Sequence, residues 1–227
     1  MEPVIVDFPL RGEWVAPNTP GYKVPSHGTD QLGQTYAYDL IQIDWHYPKK
    51  FRFFKKPYLS ALLFGIPLNL CLGWSKPIYA PFNGEVIEAE DGVRERDPVH
   101  FFRDIFFVLK NGFFFKPSNI NRDMKTIIGN YIILKGDGYY ALFAHARSGS
   151  VRVKRGDIVS AGQQLAEIGH SGNSTAPHLH FHLMDSPTLL SAKGVPCCFK
   201  EYELFQEGVW NKVTNSIPGR FDRIRVI

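Results

Sequence analysis

The arrangement of apolar and polar positions is mostly that of a β protein. In His178-Leu179-His180-Phe181-His182, imidazole and apolar side chains take turns. From Thr35 to Asp44, Tyr36, Tyr38 and Leu40 alternate with Ala37, Asp39 and Ile41. A period of two predicts strands in which residues i, i+2 and i+4 share a face. Tyr131–Lys135 and Tyr139–His145 read as strands around a Gly136-Asp137-Gly138 turn. Arg155–Val159 and Gly162–Gly169 read as short strands punctuated by glycine, and Pro77–Ala89 as two short strands joined by an Asn83-Gly84 turn. Residues 1–25, rich in Pro and Gly, read as an extended arm, and 190–227 carries two or three weaker strand signals. Asp97-Pro98 has the form of an N-cap followed by proline at the first helical position. It predicts a short helix to about Lys110, stopped by Asn111-Gly112. The expected fold class is all-β: antiparallel strands in a sheet or sandwich with a central groove and one short inserted helix.

Two segments interrupt this pattern. The apolar run from Leu59 to Trp74 is short for a membrane span and broken by Gly65, Pro67 and Asn69. Before it stands a basic and aromatic cluster, Lys49-Lys50-Phe51-Arg52-Phe53-Phe54-Lys55-Lys56. It reads as an insertion whose phenylalanines pack on the core while the lysines stay in water. Contact of residues 49–56 with an anionic surface or polymer is the alternative. The phenylalanine-rich stretch 101–115 reads as a hydrophobic lid or wall beside a site, and an exposed face there would instead suggest a partner or membrane contact.

Length and composition narrow the picture. A chain of 227 residues can bury a substantial core in one large domain. A net charge of +4 does not point to nucleic acid and leaves only a weak attraction to anionic surfaces. Cys71, Cys197 and Cys198 do not make a disulfide framework and read as inert thiols of a reducing compartment. Neither a signal peptide nor a transmembrane segment is visible, so the default expectation is cytoplasmic unless the sequence is trimmed.

The histidines carry the candidate chemistry. His178, His180 and His182 should line one strand face, and His145 ends a separate strand. His27 and Asp39 bracket a turn-rich loop and the start of a strand. A His/His/Asp set with spare imidazoles suits one Zn²⁺ ion and leaves bases for proton transfer. His46 and His100 read as structural, and His170 as a solvated turn residue.

Three segments then align with a known family: Phe143-Ala144-His145-Ala146; Val153-Lys154-Arg155-Gly156-Asp157-Ile158-Val159-Ser160-Ala161-Gly162-Gln163-Gln164-Leu165; and Gly169-His170-Ser171-Gly172-Asn173-Ser174-Thr175-Ala176-Pro177-His178-Leu179-His180-Phe181. Together they resemble the lysostaphin-type, or LytM-like, zinc metalloendopeptidases, and Tyr79–Val86 fits the hairpin that precedes these segments in the family. The resemblance implies a fold with duplicated hybrid motifs and a family-like core at about 22–186. Insertions would fall at about 47–74 and 93–126, and a C-terminal extension at 187–227 would pack on the core of one domain. By the same resemblance, His180 is a zinc ligand, His145 and His178 face the water and substrate, and His182 supports them. An upstream histidine and aspartate complete the ligands. His27 and Asp39 fit these places, because Tyr36-Ala37-Tyr38-Asp39-Leu40 resembles the family's Y-A-x-D-F form. Asp30, three residues after His27, is the alternative, since many members use H-x-x-x-D.

The implied activity is hydrolysis of peptide bonds in peptidoglycan stem or cross-bridge peptides, with a peptide or peptidoglycan substrate. One alternative is a catalytically silent relative that binds cell-wall material or regulates other hydrolases. Another is a phosphocarrier or lipoyl-type domain, because the frame from Val153 to Gln163 occurs there too. Ala80-Pro81-Phe82-Asn83-Gly84, however, offers no lysine for a lipoyl or biotinyl group.

Overall fold

A computed structural model describes residues 2–47, 51–114 and 120–227. Most of it is one large mixed sheet. The short strand β1 (Val4–Val6) and β2 (Gly12–Asn18) come from the N-terminal arm, and β3 is Tyr38–Ile41. After helix α1 (Tyr58–Phe64) follow β4 (Pro77–Tyr79) and β5 (Gly84–Glu90). Helices α2 (Phe101–Phe114) and α3 (Ile120–Ile128) then lead into β6 (Asn130–Lys135) and β7 (Tyr140–Ala146). The remaining strands are β8 (Ile158–Val159), β9 (Gln164–Glu167), β10 (Leu179–Met184), β11 (Gly194–Val195), β12 (Cys197–Gln206), β13 (Val209–Ser216) and β14 (Ile224–Val226).

The sheet runs β1-β12-β14-β2-β3-β10-β7-β6-β5-β8, with β11 beside β10 and β13 beside β12; β4 and β9 pair separately. It is mostly antiparallel, but β1 lies parallel to β12. The central strands are buried on both faces, which makes them near-continuous apolar runs. Ile132, Leu134, Phe143 and Phe181 enter the main core with Trp14, Tyr38 and Phe199. Ile133, Leu142, Ala144 and Met184 face the other way, against Met124 and Ile128 of α3.

Several expectations need correction. Three α-helices are present among the described residues where one was expected. The apolar run after Pro57 supplies α1, which buries Ala61 in a core of its own with Phe53, Phe54, Ile66 and Val99. Helix α2 starts at Phe101, not at Pro98, because Asp97 Oδ1 accepts the Leu68 N–H (3.1 Å) instead of capping. It also runs past Asn111-Gly112, since the Asn111 amide donates to Asn173 (3.3 Å) and is not free to close the helix end. Residues 77–89 are not a hairpin: β4 pairs with β9, whereas β5 pairs with β6 and β8. The Asn83 side chain accepts the Ala161 N–H (2.8 Å), so that turn is a corner between sheets. Only Tyr38–Ile41 of the 35–44 segment is strand, and a 3-10 turn, Gln31–Tyr36, precedes it.

The 190–227 tail holds four strands, with β12 the longest at ten residues. A two-residue Glu207-Gly208 loop, both residues at positive φ, closes β12 onto β13. Glycine is required at Gly208, where φ is +86°. Through β14 the tail pairs with β2, so the arm and the tail extend the sheet that carries the histidines. The three cysteines are free and buried. Within 49–56, Lys49 and Lys50 lie outside the described residues, and Phe53 and Phe54 are buried as expected. Phe115 also lies outside them. None of the helices among the described residues is long and apolar enough to cross a membrane.

Trp14 tests whether the arm belongs to the core. It is fully buried, lies opposite Ile224 and donates its indole N–H to Arg11 O (2.8 Å). Trp14→Ala should cost about 3–5 kcal/mol in urea unfolding. A loss under about 1 kcal/mol would mean that the arm contributes little to the fold.

Candidate functional site

The register of three strands assembles the site. His180 on β10 lies directly opposite Asp39 on β3 and Ala144 on β7. Cross-strand partners share a face, so Asp39 and His180 point the same way, while Tyr38, Leu40, Leu179 and Phe181 fill the core behind them. His145 follows Ala144 in a β-bulge, where Asn130 pairs with Ala146 and Ile132 with Phe143. Its φ of +65° is strained for a non-glycine residue, and a bulge of this kind re-aims a side chain. His27 arrives from the loop before β3. With His178, these four side chains line a groove of about 490 Å³.

Asp39 is the hub. Its side chain is only 14 % exposed. One oxygen lies 2.9 Å from His27 Nε2 and accepts the Asn18 amide at 2.7 Å. The other lies 2.9 Å from His180 Nδ1 and 3.5 Å from His178 Nε2. Burial alone would raise the carboxyl pKa, but the surrounding imidazoles, His27 foremost, hold it well below the usual carboxylate range.

The hydrogen bonds also settle which ring nitrogens of His182 and His180 carry protons, because a carbonyl can only accept. His182 Nε2 donates to Leu32 O (3.1 Å), so its Nδ1 accepts from His180 Nε2 (3.2 Å). That leaves the lone pair of His180 Nδ1 facing Asp39. His27 Nδ1 is engaged by Ser26 Oγ (2.9 Å), which leaves Nε2 for Asp39. The donor atoms of His27, Asp39 and His180 all lie within 4.8 Å of one another. Ligands of a tetrahedral zinc ion stand ~3.3 Å apart, so this spacing and this donor chemistry fit such an ion. The lone pair of His180 Nδ1, 2.9 Å from a carboxylate oxygen, calls for a cation between the two. Asp30 is exposed and outside the group.

His145 and His178 form the opposite wall, with ring centroids 4.9 Å apart. His145 Nδ1 donates to Ser171 O (2.9 Å) and His178 Nδ1 to Ala176 O (2.7 Å), so each turns Nε2 to the groove. Burial, reinforced by His178 and His180, pushes the His145 pKa well below its ordinary value. Burial works in the same direction at His178, but the Asp39 carboxylate outweighs it and raises the pKa. His180 and His182 are lowered by burial.

His170 departs from expectation. It is fully buried, not a solvated turn residue, because α2 covers it. Its Nδ1 contacts Ser174 Oγ (3.0 Å), which lies 3.2 Å from His178 Nδ1. Its Nε2 stands 3.5 Å from Asp104, a fully buried carboxylate on α2. Asp104 accepts from Arg96 Nε (2.8 Å) and the His100 N–H (2.8 Å). Arg96 also donates to Gly172 O and Ser174 O, each at 2.7 Å. This guanidinium therefore staples the loop before His178 to the inserted helix. Gly172, at φ +65°, has no room for a Cβ against Gly129, so the loop packs backbone to backbone. Nothing in the spacing of Arg96, Asp104, Asn18 or Leu32 marked them as neighbours of the site.

The sequence model of Peptidase family M23 matches residues 119–191, about a third of the chain, which bears out the lysostaphin-type resemblance. The peptidoglycan DD-endopeptidase ShyA of Vibrio cholerae is 37 % identical over 57 residues, and ShyB of the same organism 34 % over 56. Each match covers 25 % of this chain and 13 % of the relative, so the chain spans only a small part of their length. Among solved structures, the catalytic domain of a mutant of the prophage-encoded M23 protein EnpA from Enterococcus faecalis has 17 % identity and a TM-score of 0.42. It covers 81 % of this chain and 88 % of that one. The catalytic domain of lysostaphin from Staphylococcus simulans has 24 % identity and a TM-score of 0.34, over 67 % of this chain and 95 % of that one.

The Arg96–Asp104 clamp makes a stability prediction. Asp104→Ala leaves a largely buried guanidinium without its carboxylate and should cost about 3–5 kcal/mol. Burial would raise the Asp104 pKa, but His170, Arg103, the His100 N–H and Arg96 together lower it. Its contribution is therefore complete above the unfolded pKa, about 3.9, and is lost as pH falls toward the folded value. Urea midpoints that move alike with pH in wild type and Asp104→Ala would contradict this.

Proposed function

We propose that this chain, which carries an M23 peptidase segment over residues 119–191, is a zinc-dependent endopeptidase acting on the peptides of peptidoglycan. One observation carries the reading: the ligand atoms of His27, Asp39 and His180 lie within 4.8 Å of one another, beside two further imidazoles, His145 and His178, that line the same groove. His27, Asp39 and His180 would hold one zinc ion. Bound there, zinc lowers the pKa of a water from about 16 to about 7 and polarises the scissile carbonyl.

The chain's own residues do the rest. His145 Nε2, in a ring kept neutral by burial and anchored through Nδ1–H to Ser171 O, accepts the proton of the attacking water. His178, with the higher proton affinity of the two, presents Nε2–H to the oxygen that gains charge in the tetrahedral intermediate. The proton held by His145 then passes to the departing amine. His182 fixes the His180 tautomer through Nε2, which keeps Nδ1 free as a ligand. The choice of substrate follows the peptidoglycan endopeptidases to which the chain is similar.

The test uses purified peptidoglycan and model peptides, with and without a chelator. New amino groups should appear only with zinc. His145→Ala should reduce turnover by about 10²–10⁴-fold while zinc is retained. Asp39→Ala should lose zinc and Asp30→Ala keep it. His182→Phe should weaken zinc about 10–100-fold in chelator competition. Amino-group release that is equal in all these conditions would refute the proposal.

A further inference from the structure

The inserted helices are built inside out. On α2, Phe102, Phe106 and Leu109 follow the i, i+4, i+7 spacing of a single face, and that face points outward. The inward face carries Asp104, fully buried, and Asn111, bonded to Asn173. Helix α1 is alike, with Leu59, Leu63 and Phe64 outward and only Ala61 buried. These six outward side chains are each 56–71 % exposed. The two helices are neighbours, because Ile66, just after α1, bridges to Val99, just before α2, and Phe53 packs against Phe101. Monomeric proteins rarely expose a contiguous apolar surface of this kind without a use for it.

The charges around this surface indicate what covers it. Lys55, Arg103 and Lys110 are exposed at its edge. In 51–66 and 101–114 the only acidic residue is Asp104, which is buried. A two-fold contact between copies would bring these cationic edges together, at a cost in like-charge repulsion. Both helices are too short to span a bilayer. Short helices with Phe and Leu outward and Lys or Arg at the margin suit the plane of an anionic membrane. We propose that α1 and α2 form a membrane-docking face that inserts among anionic phospholipids. Phe101 and Ile105 of α2 line a recess shared with Asp39 and His178, so docking sets the groove beside the lipid surface. Docking in this way does not depend on the peptidase reading.

Sedimentation with vesicles tests it. The protein should pellet with mixed phosphatidylcholine–phosphatidylglycerol vesicles and remain in solution with phosphatidylcholine alone. Phe102→Ser/Phe106→Ser/Leu109→Ser should weaken binding about a hundredfold or more at an unchanged melting temperature. If that variant fails to fold, Leu59→Ser/Leu63→Ser on α1 serves the same purpose. Lys55→Glu/Lys110→Glu should weaken binding about tenfold or more. The proposal is overturned if the wild type ignores anionic vesicles or if the apolar variants bind as well as it does. It is equally overturned if the same substitutions abolish a concentration-dependent dimer, or if polyglutamate is bound in preference to the vesicles.

Discussion

A carboxylate with little access to water must be compensated where it stands, and Asp39 is that group here. Desolvating a charge costs several kcal/mol unless partners replace the lost water. Asn18 donates to one oxygen, His27 and His178 approach with Nε2, and His180 closes the cluster from β10. The compensation is inseparable from strand register, because Asp39 meets His180 only in the observed β3–β10 pairing. A slip of one residue would turn Asp39 into the core and Tyr38 into the groove. Tyr38, Leu40, Leu179 and Phe181, all fully buried, prevent that slip. The apolar core thus holds the polar site together.

Each of the key imidazoles is held from a different direction. His180 is backed by His182, whose donor ends on the carbonyl of Leu32. Leu32 and Gly33 both take positive φ in the turn that supplies this carbonyl. His178 is backed by Ser174 and His170, behind which stand Asp104 and the Arg96 clamp. One support comes from a 3-10 turn and the other from an inserted helix. Since each ring has one nitrogen committed to these supports, the other is fixed in direction. Preorganisation of this kind lets an imidazole act without first paying to reorient.

Sequence reasoning was strongest where periodicity and local chemistry agree. The β6–β7 hairpin, the histidine strand β10 and the buried thiols are all as the pattern of residues implied. It also brought His27, Asp39, His145, His178 and His180 into one set, and all five are among the side chains that line the groove. What it missed depends on distant partners. The His145 bulge is a property of pairing between β6 and β7, and no residue in either strand announces it. His170 looked solvated because its cover, α2, lies far back in the chain. The Asn83-Gly84 pair has hairpin chemistry, yet its neighbours belong to different sheets. The tail strands were faint because several of their residues face solvent and only one side is buried.

Helix α2 shows why an inserted element need not follow the usual inward-apolar rule. Most helices dock on apolar side chains, whereas α2 docks on a loop whose backbone carbonyls, Gly172 O and Ser174 O, need donors. Arg96 meets that need, and Asp104 must then accompany the guanidinium into the interior. A polar inward face is the consequence, and Phe107 reinforces it by stacking under Arg96 at 4.4 Å. With these inward positions taken by Arg96 and its partners, Phe102, Phe106 and Leu109 have only the outer face left. Hydration of that face opposes the fold of the isolated chain. The clamp that steadies the His178 loop and the apolar surface beside the groove are therefore two sides of one helix, and a sequence change that relieved the second by moving its apolar residues inward would release the first.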